Sequence, residues 1–446
     1  MKFSIAIFVL LTFFTICTAA QCADEPKLHE TGKVLRKLKL VQTGHAEIGL
    51  SIKAKVNAAW QTKGAEAAVL TVFVNGKYNQ DVILFAGPRL FDYRILLGRL
   101  ETGDHEISLV LNRERTAPGA RNVRIASSKI LPATYDGPAK MSALEKLAVA
   151  KAPFIYARPN AVDKFSDIPL ITYYEILFET ERDFKIRYTA IFSNEDGGTQ
   201  TTALMARWGR TTDIEWVYEL SFKEGELVSE TYQGEGHETK KFAGHRAFGR
   251  HPKIYTVTEN NNFADAGCSA LRIAGFPVRA DLSARSRETV MDENPWSYRV
   301  MAGEAMREGR IDPNNMGVNT IDDLRNYLYV EVHAENNSSA IAVEVKTADG
   351  KTGRSDLGDE RLRVVRSGFQ RMAVRLPSTV SPLNSLHLYC HALTGSPASG
   401  TCKNSRILAY IKLDKDFRST KIQTKMSEAL SLKPGENIMW LSPTNH

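Results

Sequence analysis

The sequence predicts a mainly β protein with several domains. Apolar and polar residues alternate with a period of two over residues 39–132 and again beyond residue 319, as in strands that bury one face. Glycine-containing turns, such as the one at Asn75 and Gly76, separate these strands. With 446 residues, of which 43% are hydrophobic, the chain can bury more than one core. We expect an N-terminal immunoglobulin-like β-sandwich, a central α+β domain with an antiparallel sheet, and a C-terminal β-sandwich.

Residues 1–23 have the pattern of a signal peptide. A basic start precedes an apolar run over residues 3–20, and small residues follow it. Cleavage after Ala20 or after Ala23 would place a small residue at the cut, and the sequence leaves this choice open. We therefore expect a secreted or periplasmic protein.

Membrane attachment is not expected. A lipid anchor on Cys22 would need a small residue just before it, and Gln21 occupies that position. No later segment approaches the roughly 18 uninterrupted apolar residues of a membrane-spanning helix.

The charge pattern limits the kinds of binding partner that we expect. Lysine and arginine exceed aspartate and glutamate by seven, and the two signs are interspersed along the chain. Because no basic stripe is interleaved with aromatic residues, nucleic acid is not an expected partner. A mildly basic exported protein could bind anionic polysaccharide or phosphate of a cell envelope, or its charges could simply solvate the surface.

Cysteines are few, and two of them lie close together in the sequence. Cys390 and Cys402 flank a turn-rich loop between two strand-like runs. In an oxidising compartment this arrangement predicts a disulfide that closes the loop. Metal binding by the two cysteines is less well supported, because no C-x-x-C pair accompanies them.

Period-two patterns place the outer domains and their strands. The N-terminal sandwich is expected over residues 24–138, with strands at residues 45–56, 69–74, 82–85, 93–97 and 106–111. The C-terminal sandwich is expected over residues 319–446, with strands at residues 327–333, 340–346, 362–365, 370–376, 386–392 and 407–412.

The central domain, residues 139–318, is predicted to contain two helices. Ser142 and Glu145 have the spacing of a capping box and begin the first helix. Asn294 as cap and Pro295 at the first helical position begin the second. The second helix carries an apolar face, which predicts packing against a core.

Two carboxylates of the central domain are candidate catalytic residues. Residues 213–220 alternate with a period of two, which places Asp213 and Glu215 on one face of a predicted strand, roughly 7 Å apart. Such a pair could act as general acid and base, and His251 is a third candidate. A half-buried strand with a solvated outer face would explain the same pattern.

Loops rich in carboxylates and carboxamides suggest a cation site. Glu195 and Asp196 stand in a predicted hairpin tip, and Glu259, Asn261 and Asp265 follow a predicted strand at residues 254–258. Oxygen ligands of this kind suit calcium or another divalent cation. Asparagine and aspartate also build turns by bonding their own backbone, so both explanations stay open.

The remaining candidates are binding residues without a reaction signature. Arg207, Arg210 and His245 lie in the same part of the chain and could contact a ligand. The sequence contains no H-E-x-x-H, no G-x-S-x-G and no cysteine in a nucleophile context.

Two stretches of the central domain resemble known families. Residues 209–215, G-R-T-T-D-I-E, resemble the G-H-R-H-D-W-E motif of necrosis-inducing proteins, with Arg210 and Thr212 at the positions of its histidines. Followed by H-P-K-I-Y at residues 251–255, they also resemble vacuolar-sorting-like proteins, which carry D-W-E and then H-P-x-x-Y. The first resemblance implies a β-sandwich, and the replaced histidines remove ligands of the divalent-cation site that it would otherwise imply. More broadly, the runs around Asp213 resemble uncharacterised exported bacterial proteins.

Two functions follow as hypotheses. The first is a non-catalytic protein that binds a polysaccharide or another cell-envelope ligand, because two sandwiches flank a domain that has no reaction motif. The second is a hydrolase that acts on an envelope or extracellular polymer through an acidic site, with or without a metal ion. The acid/base pair, the cation site and the binding residues would have to meet in one cleft for either function.

Overall fold

The computed structural model describes residues 25–42, 44–132, 142–158, 164–395, 400–424 and 428–442. The predicted signal peptide, with Cys22, lies outside these residues. Strands dominate the described chain and the helices are short, so the predicted mainly β class is confirmed. Among the described residues, no helix is long and apolar enough to cross a membrane.

The N-terminal region has two antiparallel sheets that share one core. Its elements are Leu28–Thr31 (α1), Gly32–Gln42 (β1), Ala46–Val56 (β2), Ala68–Val74 (β3), Lys77–Leu84 (β4), Phe91–Leu100 (β5), Gly103–Asn112 (β6), a 3-10 turn at Pro118–Ala120, and Val123–Pro132 (β7). One sheet has the order β1-β6-β3-β4 and the other the order β5-β2-β7. Leu50, Leu70 and Leu109 from both sheets are buried in the common core, as in a β-sandwich. Asn75 and Gly76 have left-handed φ angles of 51° and 75°, which the predicted tight turn requires.

The central region contains a six-stranded sheet and a smaller sheet of short strands. Its strands are Phe154–Tyr156 (β8), Pro169–Phe178 (β9), Phe184–Phe192 (β10), Ile214–Lys223 (β11), Glu226–Gln233 (β12), Thr239–Lys241 (β13), Arg246–Ala247 (β14), His251–Thr256 (β15), Phe263–Ala264 (β16), Arg272–Ile273 (β17) and Val278–Arg279 (β18). The larger sheet has the order β13-β12-β11-β10-β9-β18, in which only β18 is parallel to its neighbour. The smaller has the order β14-β15-β8-β17, with β16 paired to β15.

Four helices accompany these sheets: Ala143–Lys151 (α2), Thr201–Trp208 (α3), Thr289–Glu293 (α4) and Trp296–Arg307 (α5), with a 3-10 turn at Glu235–His237. The capping box of Ser142 and Glu145 begins α2, as predicted. Asn294 does not cap α5; it follows the last residue of α4, and its side-chain amide donates to the Val290 carbonyl in the first turn of that helix, at 2.9 Å. The sequence analysis also missed α3, which begins without a side-chain cap.

The C-terminal region again has two sheets around one core. Its elements are a 3-10 turn at Leu324–Asn326, Tyr327–Asn337 (β19), Ser339–Thr347 (β20), Thr352–Arg354 (β21), a 3-10 turn at Glu360–Leu362, Gly368–Arg375 (β22), Leu383–Ala392 (β23), Thr401–Leu413 (β24), Ser419–Gln423 (β25), Leu430–Leu432 (β26) and Asn437–Leu441 (β27). The sheets have the orders β22-β19-β24-β25, with β26 paired to β24, and β21-β20-β23-β27. The strand predicted at residues 362–365 is wrong, because only Val364 pairs, in an isolated bridge to Ile341.

A further core joins the central and C-terminal regions. It packs Ile191 and Ile214 of the six-stranded sheet and Met301 of α5 against Tyr329 of β19. Within it, the fully buried Arg371 of β22 forms an ion pair with Asp292, at 2.6 Å, and donates to the Tyr298 hydroxyl, at 2.8 Å. This core fixes α5 and the end of the six-stranded sheet where β10 ends and β11 begins relative to one another.

The predicted disulfide between Cys390 and Cys402 is confirmed. It joins β23 to β24, and both residues are buried in the C-terminal core. Cys268 also takes part in a disulfide.

We predict that replacing both Cys390 and Cys402 with alanine lowers the unfolding free energy of the C-terminal region by about 3 kcal/mol, because the unfolded chain regains the freedom of a short loop. Hydrogen exchange of β23 and β24 at increasing urea concentration measures this change. As a control, Cys268→Ala should leave the exchange of β23 and β24 as in the wild type. An unchanged urea midpoint in the double variant would contradict the prediction.

Candidate functional site

A polar cavity of about 350 Å³ lies at one end of the six-stranded sheet. We call it the carboxyl pocket, and its lining residues are Glu195, Thr199, Leu204, Trp208, Arg210, Asp213, Glu215, Trp216, Gln233, His237, Asn260, Arg287 and Arg366. The pairing of the central strands creates it. Ile191 near the end of β10 pairs with Ile214 at the start of β11, so the loop after β10 and the residues before β11 meet at the same sheet end.

Asp213 and Glu215 form a hydrogen-bonded carboxyl pair in this pocket. Asp213 is buried and Glu215 is half-buried. Burial, with the nearby charge of Glu215 as the next cause, raises the pKa of Asp213 to about 8, although Arg210 and Asn261 oppose the shift. The side-chain amide of Gln233 donates to Glu215 Oε2 at 2.6 Å. Asp213 therefore keeps its proton at neutral pH beside the more exposed Glu215.

Glu195 is a second buried acid of the pocket. Burial, and then the charge of Asp213, raise the pKa of Glu195 to about 8. Its Oε1 accepts a hydrogen bond from the Thr199 backbone at 3.0 Å, which orients the carboxyl group within the loop between β10 and α3. Two protonated acids thus stand in one cavity near neutral pH.

Carboxamides and a histidine form another side of the pocket. His237 Nδ1 lies 2.5 Å from Gln233 Nε2, and its Nε2 lies 3.1 Å from Asn260 Nδ2. Gln233 is almost fully buried, and its Oε1 has no hydrogen-bond partner among the described residues. A buried acceptor without a donor is costly, so this oxygen favours a ligand or water that donates to it.

Three arginines line the pocket, and they differ in their partners and in their exposure. Arg210 is buried and pairs with Glu288 at 3.0 Å, and Arg287 donates to the Ile214 carbonyl at 2.6 Å. Arg366 is exposed, and no carboxylate of the described chain forms an ion pair with it. Its guanidinium is therefore available to a ligand.

The structure brings together Glu195, Arg210, Asp213 and Glu215 from the predicted site residues. Asn261 lies directly behind them, where its side-chain amide donates to Asp213 Oδ2 at 3.2 Å. The sequence analysis missed the other polar and aromatic lining residues, because they come from strand ends and loops that periodicity does not place next to one another. They are Thr199, Trp208, Trp216, Gln233, His237, Asn260, Arg287 and Arg366.

The other predicted residues lie elsewhere. His251 is fully buried between Glu47 Oε2, at 3.0 Å, and the Ala152 carbonyl, at 2.9 Å, where it joins the N-terminal and central regions. Asp265 accepts a hydrogen bond from the Ala243 backbone at 2.8 Å.

Three further residues also lie outside the pocket. His245 is exposed, and its carbonyl accepts a hydrogen bond from Lys253. Glu259 is exposed beside a different cavity. Arg207 donates to the Arg361 carbonyl at the edge of another cavity.

Asp196 belongs to a separate group of carboxylates, which we call the acidic cluster. Asp196, Glu304 and Glu308 each place one carboxylate oxygen within 4.8 Å of the others. Glu304 lies in α5 and Glu308 directly follows it. The loop between β10 and α3 is therefore not the predicted hairpin tip; it connects a strand to a helix and meets the end of α5.

The acidic cluster carries raised pKa values. Burial, and then the charge of Glu308, raise the pKa of Glu304 to about 8, and burial also raises the pKa of Glu308. Asp167 lies beside the cluster and donates its backbone N–H to Glu304 Oε1 at 2.7 Å. Burial and the charge of Asp196 raise the pKa of Asp167 well above its ordinary value.

Comparisons with known proteins leave the family open. No family model matches the chain, and no curated protein does. Among solved structures, the chain is similar over 23% of its length to 69% of a chain described as "EclA C-terminal domain; sugar-binding protein", with 17% identity and a TM-score of 0.18. A TM-score this low supports neither a fold nor a function. The resemblances at residues 209–215 and 251–255 stay predictions.

We predict that stability falls as the pH rises from about 5 to 8. The pKa of Asp213 and of Glu195 is about 8 in the folded chain but roughly 4 when unfolded. Between these two pH values only the folded state holds the proton. The free energy of unfolding therefore falls as the pH rises, by up to about 1.4 kcal/mol per pH unit for each group. Urea unfolding midpoints across this range measure the slope.

The variant Asp213→Asn should flatten this profile and be more stable than the wild type at pH 8. Asp356→Asn is the matched control. Burial raises the pKa of Asp356, but hydrogen bonds from Arg354 and Arg363 outweigh it and lower that pKa to about 2. Its replacement should therefore reduce stability equally across the whole range. A wild-type midpoint that rises from pH 5 to 8 would contradict the prediction.

Proposed function

We propose that the protein is an exported carbohydrate-binding protein and that the carboxyl pocket holds the sugar. The observation that carries this proposal is the combination of two half-buried tryptophans, Trp208 and Trp216, with hydrogen-bonding groups of both kinds in one small cavity. The guanidinium of Arg187 lies over Trp216 at 5.8 Å, and that of Arg210 lies over Trp208 at 5.9 Å. These contacts hold both rings in place.

The polar groups suit a ligand that both donates and accepts hydrogen bonds. Gln233 Oε1 needs a donor, whereas protonated Asp213 and Glu195 can donate and Arg366 can bind an acceptor. Sugar hydroxyl groups serve both roles, and the C–H faces of a sugar ring can pack against tryptophan. At about 350 Å³, the cavity lies at the lower end of the range for small-molecule sites.

Export is part of the proposal. The signal-peptide pattern of residues 1–23 predicts it. The disulfides at Cys390–Cys402 and at Cys268 support it, because disulfides persist in oxidising compartments. An exported protein encounters ligands of the cell envelope or of the extracellular matrix.

A second candidate function is hydrolysis of the bound polymer. It is favoured by the hydrogen bond between Asp213, which keeps its proton up to about pH 8, and the half-buried Glu215. A general acid must hold a proton at the working pH, and a second carboxyl group beside it is the usual general base. Asp213 would then protonate the leaving group, and Glu215 would activate the attacking water.

Binding can be tested on glycan arrays and by affinity electrophoresis in soluble polysaccharides. We expect Trp208→Ala and Trp216→Ala each to weaken binding by roughly tenfold or more, because each removes an aromatic face from the pocket. Trp440→Ala, a half-buried tryptophan of the C-terminal sandwich, should bind as the wild type does. Failure of the wild-type protein to bind any glycan or cell surface would refute the proposal.

Hydrolysis can be tested by incubating the protein with polysaccharide and peptidoglycan and measuring new reducing ends. Asp213→Asn and Glu215→Gln should each lower turnover by roughly a hundredfold or more, while glycan binding persists. Asp265→Asn, outside the pocket, is the control and should retain activity. Wild-type binding without turnover, or turnover that persists in both variants, would reject these two residues as the acid and base.

A further inference from the structure

The acidic cluster has an unsatisfied buried oxygen. Glu304 is fully buried, and its Oε1 already accepts the hydrogen bond from the Asp167 backbone. Its Oε2 has no hydrogen-bond partner in the part of the chain that the structure describes. Leaving a carboxylate oxygen buried without a donor or a cation costs considerable free energy. This oxygen therefore points to a ligand beyond the protein's own hydrogen-bond donors.

Among the described residues, more carboxyl groups than arginine ion-pair partners meet at the cluster. Four carboxyl groups meet there, those of Asp196, Glu304 and Glu308 together with Asp167. Arg158 pairs with Asp196 and Asp167, and Arg310 pairs with Glu308 at 2.8 Å. The positive charge of Arg307 also acts on Glu304 and Glu308. Four carboxyl groups therefore share two arginine ion-pair partners, Arg158 and Arg310, among the described residues.

We propose that Asp196, Glu304 and Glu308 bind a calcium ion. All three offer carboxylate oxygens, the hard ligands that calcium prefers, and the set contains neither nitrogen nor sulfur. A cavity of about 450 Å³, lined by Asp196 and Glu308 together with Gly197 and Gly198, gives ion and water access to the cluster. Water from this cavity can fill the coordination positions that three carboxylates leave open.

This site differs from the cation site that the sequence predicts. Of the predicted ligands, only Asp196 belongs to it, because Asn261 and Glu195 face Asp213 and the others lie elsewhere. The missed ligands, Glu304 and Glu308, are four positions apart and therefore fall on one side of a helix end. The proposal does not depend on carbohydrate binding, since Asp196, Glu304 and Glu308 do not line the carboxyl pocket.

The test is calcium binding by the full exported chain, measured by isothermal titration calorimetry after treatment with a chelator. We expect one ion per chain and a melting temperature that is higher in calcium than in chelator. In Glu304→Gln, which keeps the shape of the side chain, affinity should fall by roughly tenfold or more. Glu66→Gln, a buried glutamate of the N-terminal sandwich, is the matched control and should bind calcium as the wild type does.

Absence of calcium binding by the wild type, or unchanged affinity in Glu304→Gln, would overturn the proposal. If that variant does not fold, hydrogen exchange of the wild type with and without calcium locates the site. Added calcium should protect residues 193–200 and the end of α5. Protection confined to other parts of the chain would place the ion elsewhere and equally overturn the proposal. Magnesium titration distinguishes calcium from a site for any divalent cation, which would contradict the assignment to calcium.

Discussion

The candidate site depends on the hydrogen bonds that the Asn261 side chain donates. Its side-chain amide is shared between two acids, because it donates to Asp167 Oδ1 at 2.7 Å and to Asp213 Oδ2 at 3.2 Å. The residue is fully buried and has a left-handed φ of 46°, a conformation that asparagine tolerates better than most residues. A single amide group thus supports two buried carboxyl groups from opposite sides. This support is too weak to ionise both, so the pKa of each stays raised.

Comparison with other buried acids of the same core shows that burial alone does not define the site. Burial raises the pKa of Glu288 and Glu331 as well, but the charges of Arg210 and Arg371 outweigh it and lower both pKa values. These two acids are ionised and stabilise the packing between the central and C-terminal regions. Asp213 and Glu195 have no comparable compensation, so the pKa of each stays raised. Because structural ion pairs and functional acids differ in their partners, the raised pKa values identify the pocket as a candidate site.

The sequence was sufficient for much of the local structure but for only part of the site. Alternation predicted five of the seven described N-terminal strands, β2 to β6, and five of the nine described C-terminal strands. The capping box predicted α2, and a turn-rich loop predicted the Cys390–Cys402 disulfide. These features depend on neighbouring residues or on one short loop. The apolar residues at 362–365 misled the prediction, since Val365 is 55% exposed and only Val364 pairs. The meeting of Asp196 with Glu304 could not be predicted, because it depends on how α5 packs against the six-stranded sheet through the shared core.

Glu195 and Asp196 show how near the carboxyl pocket lies to the acidic cluster. They are adjacent in sequence, yet Glu195 faces the pocket and Asp196 joins the cluster. Asp167 connects the two sites electrostatically, because the charges of Asp196 and of Asp213 both raise its pKa. The pocket and the cluster therefore interact with the same buried carboxyl group, even though no residue of the cluster lines the pocket.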